Sequence, residues 1–596
     1  EKLRKRIIDK HFINNLVQLE YSGFDGATVP ICTFTLRNNA FKDARGSYIR
    51  LSDFKGSENQ APKALEAIQN PQCGWFYTAN QKDFKKIPGS PIGYWLSEKL
   101  LKVFENKLLE NYANPRQGLA TGNNEKYLRL WQEVSYNKSH FQIKDNNQIR
   151  YSNIKWVPCT KGGPFRRWYG NNYHVIAFDE SSYSELINSG NHLPSRNYYF
   201  MEGASWSTIS SSKISFRLTQ NQVFETKGSV CLPNNNYDIN IILGSLNSKI
   251  TQILLYVTSP TLDYHEGPLR RLPFIYYNNI NIINITKSNI TLSRTDWDSR
   301  ETSWDFQQNE LIRCKSNCGQ NCADIDLLSE EDRNEISEIE KIPTNSNLLK
   351  DCYEAYKSKW TKMFFQLHQN EEELNRQFIE IYGLQDELTP DVPLEEITIL
   401  QEETSIKNGE LVFHADEVFA QFVSYAVGCM FGRYSLDKPG LILANQGETL
   451  QDYLEKVGKG EEELTFVPDR DNIIPVLDDE WFRDDIVERF HTFLKASFGE
   501  QNFRKNLDFV EECLGKDIRK YFTRDFYKDH IRRYKKRPIY WMFSSPKGYF
   551  NVLVYLHSYT PDTINRILNS YLKEYIEKLK MYRTQQEHIE VEGSVT

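Results

Sequence analysis

The spacing of apolar and polar positions changes character along the chain, and each change shifts the elements it predicts. Residues 5–15 have helical spacing through Ile7, Ile8 and Phe12. Residues 16–19, 28–36 and 46–51 carry β-branched and aromatic residues and predict strands, with the glycine-marked Ser22-Gly23-Phe24-Asp25-Gly26-Ala27 between the first two. Units of this kind close the edge of a sheet begun earlier, so this stretch is expected to be part of a domain. Pro88-Gly89-Ser90-Pro91 makes a rigid turn before a helix over about residues 96–109. Through 111–300 helical periodicity weakens, Asn, Ser, Gly and Tyr rise, and short runs at 175–178, 214–218 and 239–242 predict strands. One helix interrupts them at 245–257, with Leu246, Ile250, Ile253, Leu254 and Val257 on one face. Residues 301–400 read as helical and acidic, including 364–382 with Leu367, Leu374, Phe378 and Ile381 on one stripe. Residues 410–596 are again largely helical, broken at Asp437-Lys438-Pro439-Gly440 and Ser545-Pro546-Lys547-Gly548 and ending in a helix-like run at 571–583. There is no internal repeat.

Length adds a domain count: 596 residues exceed one core and suggest two to four. Hydrophobic residues at 39%, aromatics at 13% and charged residues at 26% exclude a disordered chain. No apolar run approaches the roughly 20 residues of a membrane span, and the charged Glu1-Lys-Leu-Arg-Lys-Arg start lacks a signal peptide's apolar core. With no starting Met, both ends are expected to be cuts through a longer protein. The ten scattered cysteines suit a reduced cytoplasmic protein. Cys314, Cys318 and Cys322 form a C-x3-C-x3-C run; it reads as surface cysteines at helical spacing rather than as a zinc site, and no metal is expected.

Charge matters by region. Residues 1–300 hold 37 Lys+Arg and 25 Asp+Glu, a net of +12; residues 301–596 hold 36 and 55, a net of −19, which together give the chain's −7. A basic half is what a polyanion-binding surface requires.

The common catalytic strings are missing: no phosphate-loop G-x-x-x-x-G-K-[ST], no H-E-x-x-H, no G-x-S-x-G, no convincing G-x-G-x-x-G. The Asn/Asp-Pro-Pro-aromatic tetrapeptide of adenine-N6 methyl transfer, which would bond the amine and stack on a flipped base, is also missing. Asn70-Pro71-Gln72-Cys73 and Asn114-Pro115-Arg116-Gln117 do not qualify, and no catalytic residue is assigned. Instead, the basic half carries polar loops suited to nucleic acid. The first runs from Arg116 through Thr121 to Asn123-Asn124; its two glycines admit close backbone approach, and it reads either as a phosphate-holding helix start or as an empty capping loop. The second runs from Lys161 through Gly162-Gly163 to Arg166-Arg167-Trp168; it suits backbone contact and stacking on a splayed base, or else is a hairpin with Trp168 packed inward. The third contains Ser205 and is followed by Lys213, Arg217 and Lys227, which could read guanine edges or hold phosphates, or simply decorate a β-surface. Arg270-Arg271, after Gly267-Pro268, adds an exposed basic pair.

Taken in order, these strings resemble the BREX phage-defence adenine-specific DNA methyltransferase family, PglX. The resemblance is carried by Phe24-Asp-Gly-Ala-Thr-Val-Pro-Ile-Cys-Thr-Phe-Thr-Leu-Arg37, Ile87-Pro-Gly-Ser-Pro-Ile-Gly-Tyr-Trp95, the loop at 117–124 with Trp131, Lys155-Trp156 and residues 161–172. It continues through residues 202–207, Asp296-Trp-Asp-Ser-Arg-Glu-Thr-Ser-Trp-Asp-Phe306, residues 370–384 and 424–440, and Arg537-Pro-Ile-Tyr-Trp541. The resemblance implies an α/β plus α chain. Residues 1–110 would be a partial Rossmann-like methyltransferase tail, 111–300 a mixed α+β target-recognition domain that binds DNA, 301–405 a helical spacer and 406–596 a helical C-terminal domain. It implies a site-specific adenine-N6 DNA methyltransferase that flips one adenine and moves the methyl of S-adenosylmethionine directly to N6. Cofactor site and catalytic tetrapeptide would lie mainly upstream of residue 1, so the isolated chain is expected to be inactive. Double-stranded DNA and other phage-defence complex proteins are the implied partners, with no membrane. The alternative is a non-catalytic recognition or scaffold protein, a truncated or silent cassette copy; a nuclease is disfavoured because no P-D-(D/E)-x-K-like string is present.

Overall fold

The computed structural model describes residues 2–21, 23–24, 31–41, 43–144, 153–188, 193–209, 213–259, 263–315 and 346–593. Most of the Ser22–Ala27 connection, the start of the strand expected at 28–36, and Cys318 and Cys322 lie outside them. Within them the chain is mixed α and β, with five small sheets and many helices.

A four-stranded sheet opens the chain, formed by Phe12–Gln18, Cys32–Arg37, Arg45–Arg50 and Phe76–Asn80. The second strand is at one edge, antiparallel to the first, which runs parallel to the third. The helix expected over 5–15 is shorter, Lys2–Lys10, because Phe12, Ile13 and Leu16 are buried as a strand. Buried Gln81 seals the transition: its amide nitrogen donates to the Ile8 and His11 carbonyls (2.8 and 2.7 Å) and its oxygen accepts from Ile13 N (3.0 Å). The helix expected at 96–109 is cut to Glu98–Val103, capped by the Ser97 hydroxyl, which accepts from Leu100 N.

Two further four-stranded sheets follow. One is antiparallel and orders Phe216–Thr219, Gly203–Trp206, Val230–Pro233 and Ala113–Arg116. The other orders Val223–Phe224, Trp156–Thr160, His174–Ala177 and Leu128–Leu130. The strand expected at 239–242 is instead a helix, Ile239–Asn247. Asp238 caps it, and every residue except Asn240 is buried, so apolar surroundings on all sides override the β preference of its isoleucines. The helix expected at 245–257 begins after a break at Ser248, as Lys249–Thr258. Asn247 explains the break's position: its side chain donates to Phe216 O and accepts from Phe216 N, both at 2.9 Å, tying the helix end to a strand.

Long helices Ile280–Asp298 and Leu349–Ile381 pack together and against Ile239–Asn247. The largest apolar core draws on residues between Ile87 and Tyr555, including those of Leu349–Ile381, Ala415–Met430, Ile486–Phe498 and Phe503–Leu514, while a second core packs around the Trp156–Thr160 sheet. The C-terminal region is less purely helical than its periodicity suggests. Tyr540–Ser544 and Asn551–Tyr555 pair across the Ser545–Gly548 turn, and Ile473–Pro475 adds a third strand. Nearby, the carboxylates of Asp469, Asp471 and Asp484 converge within 4.8 Å of one another, and Tyr571 Oη lies 2.9 and 2.8 Å from oxygens of the latter two. Among the described residues no single helix is long and apolar enough to cross a membrane; the bent pair Ile239–Asn247 and Lys249–Thr258 passes by composition and is largely buried in the core.

Candidate nucleic-acid interface

The sequence-selected loops come together around the two middle sheets. Leu119 N donates to Phe224 O and Thr226 N to Leu119 O, which docks the 117–124 loop on the 225–228 turn. The Ser207 hydroxyl accepts from Gly163 N (2.9 Å) and donates to Gly163 O (2.8 Å), joining the second and third loops. Glycine is required where they touch: a Cβ on Gly118 would lie 1.9 Å from Phe224 O, and one on Gly162, at φ +77°, would lie 2.5 Å from Lys227 O.

Convergence does not mean exposure. Arg166, Arg167, Trp168, Ser205 and Arg217, expected at a ligand-facing surface, are all buried. Arg166 bonds Asp296 at 2.7 Å and donates to the Thr398, Ser293 and Tyr169 carbonyls. Arg167 is paired with Glu371 and with Glu396 (2.9 Å), and the Trp168 indole donates to Glu371 at 2.7 Å. Arg300 joins the group, 2.7 Å from Asp296 and paired with Glu403. Burial alone would raise the Asp296 carboxyl, yet Arg300 and Arg166 hold it below the usual carboxylate range. Among the described residues Arg217 has no carboxylate partner and lies beside the Arg166 carbonyl and the Ser207 hydroxyl; burial, then the neighbouring Arg166, pushes its guanidinium down to about 10. Arg166 and Arg167 are therefore neutralised inside the protein by Asp296, Glu371 and Glu396. The inward packing of Trp168, the alternative kept open above, is what occurs.

Other candidates are placed differently. Asn123 caps the one-turn helix Asn124–Tyr127 by accepting from Lys126 N at 3.0 Å, and buried Thr121 donates to Asn124, so this loop has the capping geometry. Lys213 is exposed but ion-paired with Glu396. Lys161 is half-buried and Lys227 exposed, both on the rim of the converged loops. Cys314, expected at the surface, is buried against the core, where burial pushes its thiol up to about 12.

Arg116, Arg270 and Arg271 form the start of a ridge. Arg270 donates to Pro115 O at 2.9 Å; the adjoining Arg116 lies over the Tyr198 ring (4.4 Å to its centroid) and donates to its hydroxyl at 3.0 Å. Arg271 flanks Gly89, whose carbonyl accepts from Arg4 at 2.6 Å. Beyond Tyr198, exposed Arg196 completes the line and, with Arg116, Leu193, Ser195 and Asn197, lines an open cleft of about 360 Å³. Among the described residues none of these five arginines is ion-paired, in contrast to Arg166 and Arg167. Arg4 and Arg196 were not singled out from the sequence. Neither sits beside a glycine or a second arginine there, and the fold alone aligns them with the others.

The chain thus combines convergent glycine loops with a line of arginines that, among the described residues, have no ion-pair partner. No family model matches the chain. It is 34% identical over 593 residues to the adenine-specific methyltransferase PglX of Lacticaseibacillus casei (strain Zhang), and 31% over 600 residues to the adenine-specific methyltransferase BrxX of Escherichia coli O9:H4 (strain HS). Each match covers 96% of the chain and 45% of the relative, so the chain spans about half the length of the curated relatives it matches. Over that span the chain belongs to the PglX family.

Proposed function

We propose that this chain is the DNA-recognition and C-terminal part of a site-specific adenine-N6 DNA methyltransferase of a phage-defence system. Sequence kinship with two adenine-specific methyltransferases supports the activity class. The observation that supports DNA recognition by this part is the ridge of Arg4, Arg271, Arg270, Arg116 and Arg196, cationic and bonded only to neutral groups. Guanidiniums that lack a carboxylate keep their full attraction for phosphates, whose contact releases condensed counterions. In this reading the divisions at residues 110, 300 and 405 separate methyltransferase tail, recognition domain, spacer and C-terminal domain. The N-terminal sheet is the end of a Rossmann-like fold; its edge strand Cys32–Arg37 is exposed at every residue, which suits a strand that pairs with the remainder of such a sheet.

S-adenosylmethionine is the methyl donor this reading implies. Its sulfonium is cationic, whereas the cleft beside Arg116 is lined by two guanidiniums. These residues do not fit it, and no transfer step is assigned to them. The protein acts in the cytoplasm, with duplex DNA and the other phage-defence proteins as partners. Single-molecule sequencing of host DNA, with the intact gene present and then deleted, tests the reading. Loss of N6-methyladenine from every copy of one short motif is expected. An unchanged pattern would instead favour a silent or scaffolding copy.

A further inference from the structure

The ridge is not uniform, and its far end differs from a phosphate-holding surface. Arg4, Arg270 and Arg271 line the ridge outside the cleft, and Arg4 and Arg270 donate to the carbonyls of Gly89 and Pro115. Arg116 and Arg196 instead line the cleft of about 360 Å³, together with Leu193, Ser195, Asn197 and Tyr198. The cleft walls are pinned. Ser195 sits at φ +60°, and its hydroxyl donates to Gln117 O at 2.9 Å, fastening the Arg196–Tyr198 turn to the glycine loop. Arg116 lies over the Tyr198 ring and is bonded to its hydroxyl, so its guanidinium is tethered to the turn before any ligand arrives. Arg196 alone keeps an exposed guanidinium with no ion-pair partner among the described residues.

We propose that Arg196 reads a guanine edge of the recognised duplex, with Arg116 as its positioning partner, while Arg4, Arg270 and Arg271 hold phosphates. This rests on the DNA-recognition reading above. A planar fork of N–H donors matches the O6 and N7 acceptors of guanine, which no other base presents together in the major groove. The concave wall favours a base edge over a phosphate: Leu193 gives it an apolar side, and the Asn197 amide adds a directional group that a phosphate contact does not need. A turn fixed at both ends sets where the Arg196 side chain leaves the backbone, and a fixed starting point favours discrimination among bases.

Selection from a randomised duplex library, with the purified chain and its Arg196→Ala, Arg196→Lys and Arg271→Ala variants, tests this directly. The unaltered chain should enrich a motif. Arg196→Ala should accept any base at one guanine position of that motif while keeping the rest, and bind the original site about 5- to 150-fold more weakly. Arg196→Lys should recover part of the affinity without the discrimination, because an ammonium is a point charge. Arg271→Ala should weaken all sequences alike. An Arg196→Ala variant that retains the whole motif and loses affinity uniformly overturns the proposal and makes Arg196 another phosphate contact. Failure of the unaltered chain to enrich any motif overturns the recognition reading itself, a separate and distinguishable result. A thermal melt of each variant confirms folding, which an exposed side chain such as Arg196 should not disturb.

Discussion

Arg166-Arg167 and Arg270-Arg271 are the same dipeptide in the same basic half of the chain, each following glycine and proline at short range. Their fates are opposite. The first pair turns inward and meets Asp296 from its own half and Glu371 and Glu396 from the acidic half; in the second, Arg270 is fastened to a backbone carbonyl and Arg271 has no ion-pair partner among the described residues. The difference is one of counter-charge. Burying two adjacent guanidiniums is costly, and acids from elsewhere in the chain offset it for the first pair; Arg217, buried beside them on neutral oxygens alone, instead has its guanidinium pushed down. An arginine destined for a polyanion needs neutral support, since an intramolecular carboxylate would compete with the ligand. Regional charge therefore locates a basic surface only after the internally neutralised arginines are removed from the count.

The largest effect that separates the two pairs is on folding. Arg167→Ala leaves Glu371 buried and short of its partner and should lower stability by about 3–5 kcal/mol, read as a shift in the urea midpoint. Retention of the wild-type midpoint would mean that this latch, the buried pairing of Arg166-Arg167 with Asp296, Glu371 and Glu396, is dispensable. The folded fraction should bind duplex DNA with an unchanged salt slope. Somewhat smaller is Gly118→Ala, whose Cβ would collide with Phe224 O at 1.9 Å. Relief of that clash should cost about 1–3 kcal/mol and loosen the 117–124 loop, seen as faster amide exchange at Leu119 and Thr226. Protection equal to wild type there would show that the loops are not fastened as described. On the other side of the comparison, Arg270→Ala and Arg271→Ala should each reduce the slope of log K against log salt by about one, with the thermal midpoint little changed. A slope that stays put would remove them from the interface.

The smallest effect is a control outside both pairs. Burial, and then the neighbouring Asp471 and Asp484 carboxylates, raise the Asp469 carboxyl from 3.8 to about 7 despite Arg489. The folded protein therefore holds a proton between those values that the unfolded chain has lost, and stability contributed by this group falls as pH rises from about 4 to 7. Asp469→Asn should gain on wild type across that window, measured by thermal melts at pH 5 and 8; a constant difference would contradict the shift.

Much of the architecture is legible in the residues. The strand at 46–51 and the short strands and glycine loops of residues 111–300 appear where the pattern puts them. The isoleucine-rich 239–242 run misleads because periodicity cannot separate a strand from a helix buried on all sides. The 540–555 hairpin hides within a region whose neighbours are helical. Of the site, adjacency along the chain singles out Arg270-Arg271 and equally suggests Arg166-Arg167, because the acids that neutralise the latter are 130 or more residues away. Arg4 joins the ridge only because its guanidinium reaches Gly89, 85 residues on, and Arg196 only because Tyr198 stacks on Arg116.

The most direct measurement is duplex-DNA binding by the purified chain as a function of salt, run in parallel for wild type, the Arg270→Ala/Arg271→Ala double variant and the Arg166→Ala/Arg167→Ala double variant, each scored on its folded fraction. The account predicts a steep salt dependence for wild type, a slope reduced by about two for the ridge variant and a wild-type slope for the latch variant. A ridge variant that binds like wild type, with the slope lost in the latch variant instead, would contradict it.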